Sequence, residues 1–231
     1  PHNSFITLLI LVKKIMQNKI KGCFFDLDGT LVDSLPGIHK AVVMSLEYLD
    51  RQPCSLNETK SFIGNGVDFL IKKIMDLRMI TEFETLRSLF LNNYKKVYLN
   101  NSPKYFGCRD VLSKIRESVT PNLACITNKP YEYARKILDN EGLELEYLIG
   151  GDDPKLRKPS GSGIIKACEY FNVEPISCVY IGDSLVDFQA SKAAGSNFIF
   201  ASYGYGNLDF IPNVSIHSIS ELSNKLKLSF L

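Results

Sequence analysis

The order of apolar and polar positions divides the chain into three stretches. Gly22 to Leu27 reads GCFFDL, an apolar run of strand length that ends in an acid and then in the breaker pair Asp28-Gly29. That pattern predicts a buried strand opening into a turn. From about Pro36 to Leu99 the spacing becomes helical, with Ile38, Val42, Val43, Leu46 and Leu49 on one face. Phe69, Leu70, Ile74 and Leu77 follow, then Leu86, Leu89, Phe90 and Val97, and no strand is predicted in this stretch. After Pro103 strand and helix alternate. The pattern predicts strands at 123–126, 147–149, 178–181 and 198–201, with helices near 111–117, 132–141, 164–171 and 186–194.

Repeated strand-helix units predict a parallel sheet with right-handed crossovers and helices on both faces, an α/β, Rossmann-like parallel-sheet core. That core takes residues 20–35 and 103–231. An inserted all-helical cap domain at 36–102 interrupts it directly after the first strand. Such an insertion sits above the carboxyl ends of the strands, where ligands bind in open α/β sheets, and is placed to act as a lid. Residues 1–19 are expected to be an N-terminal extension. Its apolar run Phe5 to Val12 is followed by Lys13 and Lys14, the reverse of a secretory signal, and is too short to span a bilayer. Translation is expected to start at Met16, with residues 1–15 an upstream extension or a poorly ordered arm.

Composition narrows the function class. The 231 residues are 45% hydrophobic and 23% charged, which excludes a disordered chain and leaves room for a buried core. The formal charge is only +2, without a long basic block, so nucleic acid is not the expected partner. Cys23, Cys54, Cys108, Cys125, Cys168 and Cys178 are scattered with no C-x-x-C pair, which reads as reduced thiols in a cytoplasmic protein.

Four segments fall at the ends of predicted strands: Asp26 to Thr30, Thr127-Asn128, Lys158-Pro159 and Gly182 to Asp187. Sheet topology brings strand ends together, so these distant residues are expected to share one crevice. They supply the carboxylates of Asp26, Asp28, Asp183 and Asp187, the ammonium of Lys158, and the hydroxyl and amide of Thr127 and Asn128. Carboxylates so crowded repel unless a cation neutralises them, and oxygen ligands in that number suit Mg²⁺. A divalent cation, a lysine, a hydroxyl donor and exposed backbone amides together form a cradle for a phosphoryl group. A remaining carboxylate can attack it.

The strings DLDGTLVDS at 26–34, ITN at 126–128, RKP at 157–159 and GDSLVD at 182–187 resemble, in order and spacing, the four motifs of the haloacid dehalogenase superfamily of phosphatases. The resemblance covers residues 20–206. It implies that Asp26 is the nucleophile that becomes a phosphoaspartate and that Asp28 is the general acid and base. It gives Mg²⁺ the carboxylates of Asp26 and Asp183 and the backbone carbonyl of Asp28. Asp187 would hold a metal-bound water or orient Lys158, while Thr127, Asn128 and Lys158 grip the phosphate. One departure stands out: Ser160 and Gly161 follow the lysine-proline pair where many relatives carry an acid and a proline.

A helical insertion between the first two motifs resembles the capped class that includes phosphoglycolate phosphatases. Phe62 to Val67, FIGNGV, is similar to that subfamily's specificity loop, and Tyr203 to Gly206, YGYG, to the segment after its last core strand. Gly64 and Gly66 would let backbone amides approach a small anion, and Asn65 would donate to its carboxylate. Asp33 reads as a surface or helix-start acid, His39 as structural, and Tyr203 to Gly206 as an ordinary loop.

The resemblance thus implies a Mg²⁺-dependent phosphomonoesterase acting on a small phosphorylated metabolite, with 2-phosphoglycolate as first choice. The alternatives are a β-phosphoglucomutase-like phosphotransferase, a pyrophosphatase of the same fold, and a phosphate-sensing binding module. A mutase calls for further sugar and phosphate ligands in the cap, and a carbon-halogen hydrolase does not need Asp28. The module is disfavoured by a complete catalytic set. The expected partner is the small phosphorylated substrate alone, with no nucleic acid and no membrane, for a monomer or homodimer.

Overall fold

The computed structural model describes residues 20–229. The reading of 1–19 as an extension lies outside the described residues. Six strands run β1 (Gly22–Phe25), β2 (Leu123–Ile126), β3 (Tyr147–Ile149), β4 (Cys178–Gly182), β5 (Asn197–Ala201) and β6 (Ser215–Ile216). Their spatial order is β3-β2-β1-β4-β5-β6 and every pair is parallel. The chain walks outward from β1 to β3, then crosses back to β4 on the other side. The switch in direction therefore falls beside β1, and ligands bind at such a point in open parallel sheets.

All residues of β1, β2 and β4 are buried, as their unbroken apolar runs require in a sheet covered on both faces. Alternation along β1 splits the core. Cys23 and Phe25 face the side covered by α5 (Cys108–Ser118), α6 (Tyr131–Glu141) and α9 (Leu222–Ser229). Phe24 faces α7 (Ser162–Phe171) and α8 (Leu185–Ala194). The terminal pair β6 and α9 carries no strong periodic signal and lies beyond the predicted elements.

Between β1 and β2 the chain forms helices α1 (Leu35–Tyr48), α2 (Leu56–Ser61), α3 (Val67–Arg78) and α4 (Phe83–Val97), with a short 3₁₀ turn at Leu99–Asn101. Ile38, Val42 and Leu46 of α1 and Leu86, Phe90 and Tyr94 of α4 recur every four residues and are buried together. In α3 the stripe runs through Leu70, Ile71 and Ile74, which leaves Phe69 only half-buried and Leu77 exposed. Ser55 starts α2 with a capping box: its Oγ accepts from Glu58 N at 3.2 Å, and its own N donates to Glu58 Oε2 at 2.6 Å. Arg78 donates to that Glu58 and to the carbonyls of Gln52 and Pro53, which pins the loop between α1 and α2. His39 donates to or accepts from Thr59 Oγ1 at 3.0 Å, a link between α1 and α2.

All six cysteines are buried and unpaired. Among the described residues, no helix is long and apolar enough to cross a membrane.

Candidate active site

Asp26 is the first residue past β1, and its backbone N donates to Ile181 O at 2.9 Å, which anchors it at the switch point. The next residues fold back at once: Leu27 O accepts from the amides of Thr30, Leu31 and Val32. The amides of Leu27 and Asp28 donate to no group among the described residues, so they remain available to an anion. Gly29 makes the turn with φ +84°, and a Cβ there would stand 2.4 Å from Asp183 Oδ2, so residue type is dictated twice.

Asp26, Asp183 and Asp187 are all buried, and each offers an oxygen within 4.8 Å of the others. Lys158 Nζ lies 2.6 Å from Asp26 Oδ1 and 2.6 Å from Asp187 Oδ1. Asp187 is fully engaged. Its Oδ1 also accepts from Tyr180 Oη at 3.3 Å, and its Oδ2 accepts from Ser184 N at 3.0 Å and from the Ser184 hydroxyl. Asp183 Oδ2 accepts from Tyr205 N at 2.6 Å and Gly206 N at 3.3 Å, while its Oδ1 takes no hydrogen bond from the described residues. Asp26 Oδ1 is buried and, apart from the Lys158 ammonium, has no donor among the described residues.

The electrostatics follow from this count. Three buried carboxylates, when ionised against one ammonium, leave two negative charges uncompensated, the charge of one divalent cation. Burial pushes the Asp26 carboxyl up, Lys158 opposes this, and Asp187 and Asp28 add to it. Burial likewise raises Asp183 well above the usual range, followed by repulsion from Asp187 and Asp26, against the pull of the Tyr205 and Gly206 amides. Desolvation lowers Lys158, but Asp187 and Asp26 outweigh it and hold the ammonium protonated. An Asp26 carboxylate bonded only by Lys158, an unengaged Asp183 oxygen and an excess of buried carboxylates over ammonium are the donor set a hard divalent cation fits.

Thr127 and Asn128 end β2 inside the same crevice, and both are buried. Thr127 Oγ1 accepts from Lys129 N at 3.2 Å, which leaves its own proton to donate. Asn128 differs from expectation. Its Nδ2 donates to Gly64 O and to Lys158 O, both at 3.0 Å, and its Oδ1 accepts from Lys158 N at 2.8 Å. The amide side chain is therefore a brace tying the 62–67 loop and the Lys158 loop to the end of β2. Gly64 and Gly66 line the cleft and Gly66 packs against Asn128, but Asn65 is exposed and is not brought together with the others. Ser160 Oγ accepts from Ser162 N at 3.2 Å, so the departure from the resemblance is absorbed at the start of α7.

Lys129, Tyr94 and Tyr180 escaped the sequence reading, and the segment 203–206 reads there as an ordinary loop. Lys129 is buried, with Nζ 2.8 Å from Asp28 Oδ2 and 3.0 Å from Oδ1, and it lies 5.0 Å from the ring centre of Tyr94. Tyr94 comes from α4, whose apolar stripe reads as Leu86, Leu89, Phe90 and Val97 without it. Tyr180 looked like strand interior, yet its hydroxyl donates to Ile126 O at 2.7 Å and reaches Asp187. Tyr205 donates to Asp33 Oδ1 at 2.7 Å and accepts from Leu35 N at 2.9 Å, and Tyr203 donates to Thr30 O at 2.8 Å. The segment 203–206 is thus a strap across the β1 turn and the entry to α1. Asp33 is one of its anchors instead of a free surface acid.

Residues 23–201 match the family model of haloacid dehalogenase-like hydrolases. The phosphoglycolate phosphatase of Nitrosospira multiformis is 34% identical over 194 residues, 80% of this chain and 85% of that protein. The phosphoglycolate phosphatase of Chromobacterium violaceum is 31% identical over 216 residues, 90% and 97% of the two chains. A crystal structure of a predicted phosphoglycolate phosphatase from Haemophilus somnus superposes with a TM-score of 0.84 at 27% identity, covering 91% of this chain and 98% of that one. The order of the four strand-end segments, the sheet and these matches agree: the chain belongs to the haloacid dehalogenase-like hydrolase family.

Proposed function

We propose that the protein is a Mg²⁺-dependent phosphomonoesterase whose substrate is 2-phosphoglycolate, with Asp26 as the phosphoryl acceptor. The observation that carries this reading is the Asp26 carboxylate at the switch point, buried beside Lys158 and within one cation's reach of Asp183. Relatives that carry the name phosphoglycolate phosphatase match most of the chain and support the choice of ester.

The Asp26 and Asp183 carboxylates, with the backbone carbonyl of Asp28, would hold the Mg²⁺. The ion supplies charge neutralisation, which lets a phosphate dianion approach an anionic nucleophile. Lys158 opposes the desolvation of the Asp26 carboxylate and faces the same approach, and Asp187 fixes its direction. The free amides of Leu27 and Asp28 and the Thr127 hydroxyl are placed to bind nonbridging oxygens. Asp26 attacks phosphorus, Asp28 gives a proton to the departing alkoxide, and Asp28 then takes a proton from the water that hydrolyses the acyl phosphate. The helices of 36–102 act as the cap, with the Gly64 carbonyl held by Asn128 when the cleft is covered.

The cap side of the cleft argues against a sugar phosphomutase. Apart from Tyr94 it is walled by Phe62, Ile63, Val67, Leu70, Phe90 and Leu91, whose side chains offer a sugar no hydrogen bonds. The test is release of inorganic phosphate from 2-phosphoglycolate, hexose phosphates and pyrophosphate with Mg²⁺. The reading expects 2-phosphoglycolate to rank first in kcat/KM, and it is abandoned if a hexose phosphate or pyrophosphate does.

A further inference from the structure

The cleft holds two lysines, and only one belongs to the phosphate. Lys158 is locked behind Asp26 by two carboxylates. Lys129 lines the cleft beneath the inserted helices, with its ammonium on Asp28 and its side chain only 5% exposed. Against it lies the Tyr94 ring, and the buried Tyr94 hydroxyl, close to Lys129 and Ser102, makes no well-aligned hydrogen bond with either. A buried hydroxyl without a partner is costly unless a ligand completes it. Both groups line the cleft, whose cap wall is otherwise apolar.

The charge balance says what kind of leaving group fits. Asp28 must face the ester oxygen, so a substrate carboxylate close to that oxygen would meet Asp28 at short range. Two bonds of about 1.5 Å separate the ester oxygen from a carboxylate carbon in a 2-hydroxy-acid ester. Such a group is repelled by Asp28 unless a cation stands between them, and Lys129 is the ammonium that already contacts Asp28.

Resting on the proposed phosphatase activity, we propose that Lys129 and the Tyr94 hydroxyl form the recognition site for the substrate's second anion, a carboxylate on the leaving alcohol. The ion pair between Lys129 and Asp28 is its resting form. Substrate binding moves the ammonium from the protein's carboxylate to the substrate's, and the Tyr94 hydroxyl donates to the same group. Asp28 is thereby released to turn toward the ester oxygen. Selectivity and readiness for the reaction are set by one exchange of partners. An ester without the carboxylate leaves Lys129 on Asp28 and is turned over less well.

The experiment compares two esters of equal length, 2-phosphoglycolate and 2-hydroxyethyl phosphate, in wild type, Lys129→Met and Tyr94→Phe, with Mg²⁺ throughout. The quantity read is the ratio of kcat/KM for the two esters. Losing a charge-assisted bond should lower that ratio by roughly 10–100-fold in Lys129→Met, and losing a neutral donor by a few-fold to about tenfold in Tyr94→Phe. Tyr94→Phe keeps ring and volume, so it decides the matter if Lys129→Met fails to fold. A ratio that stays within twofold of wild type in whichever variants fold, while both esters slow together, overturns the inference and leaves the phosphatase reading intact. Wild type inert toward both esters removes the phosphatase reading itself.

Discussion

Replacing Gly204 by alanine tests the geometry of the carboxylate cluster without removing any charged group. A Cβ at this position would lie 2.3 Å from Asp183 Cβ, 2.4 Å from Gly29 O and 2.5 Å from Asp183 Oδ2. Ordinary van der Waals contact begins at 3.4 Å, so either Asp183 or the strap must move by about 1 Å. Gly29 O belongs to the tight β1 turn, and the strap is held by the Tyr203 and Tyr205 hydroxyls, so Asp183 is the softest partner. Overpacking of this kind costs about 1–3 kcal/mol, which at this chain length lowers Tm by roughly 2–12 °C. Mg²⁺ tolerates little deviation from octahedral geometry, and disturbing what orients a ligand typically weakens a metal about 10–100-fold. The assay is the Mg²⁺ concentration that half-activates hydrolysis, with thermal stabilisation by Mg²⁺ as an activity-independent readout. Gly195→Ala is the control: φ is +76°, so alanine is strained by about 1–2 kcal/mol, yet nothing lies within 4 Å of the new Cβ. Both variants should lose stability and only Gly204→Ala should need more Mg²⁺. Equal Mg²⁺ requirements in the two variants would refute the placement of Asp183 as a ligand.

Asp26→Asn exchanges a nucleophile for an amide of similar volume, so turnover should fall on the order of 10⁴-fold or more while Tm shifts by only a few degrees; turnover within tenfold of wild type contradicts the acceptor role. Lys158→Met leaves three buried carboxylates with no cation, a loss of about 3–5 kcal/mol, and its Tm should rise more with added Mg²⁺ than that of wild type. Calorimetry with and without the metal checks this, and an unchanged Tm would mean the cluster is not ionised as described. The six buried thiols should resist an aromatic disulfide reagent at pH 8 in the native protein and all react after denaturation. Rapid labelling of any native thiol would show that burial is incomplete.

The central sheet was legible because a strand buried on both faces has few ways to be written. GCFF, LACI and CVYIG are short, continuous and apolar, and each is followed by polar residues that no core would hold. The terminal β6 was not, since Ser215–Ile216 is only two residues long and pairs with β5 through Phe200 and Ala201 alone. Periodicity needs more residues than that to be read. Leu77 shows the converse error. It keeps the helical spacing of α3 but falls beside the stripe of Leu70, Ile71 and Ile74, because the face that is buried depends on what α3 packs against.

The site divides along the same line. Asp26, Lys158, Asp183 and Asp187 were readable because strand ends converge wherever a parallel sheet forms, so spacing along the chain implies proximity in space. Asn128 and Gly64 were both read as ligands of a substrate, yet they bond to each other. No spacing rule distinguishes a group that faces a ligand from one that braces the loop opposite. Lys129 was passed over for the opposite reason, since a lysine after a strand normally reaches water. Its burial depends on Tyr94, 35 positions earlier on α4, and no local pattern encodes that this helix comes to rest on residue 129. On the proposed function, the residues assigned to phosphate are fixed by the sheet, whereas those assigned to the alcohol depend on how the inserted helices rest upon it. Chemistry is therefore the legible half of such a sequence, and selectivity has to be read from the contacts between Lys129, Tyr94 and Asp28.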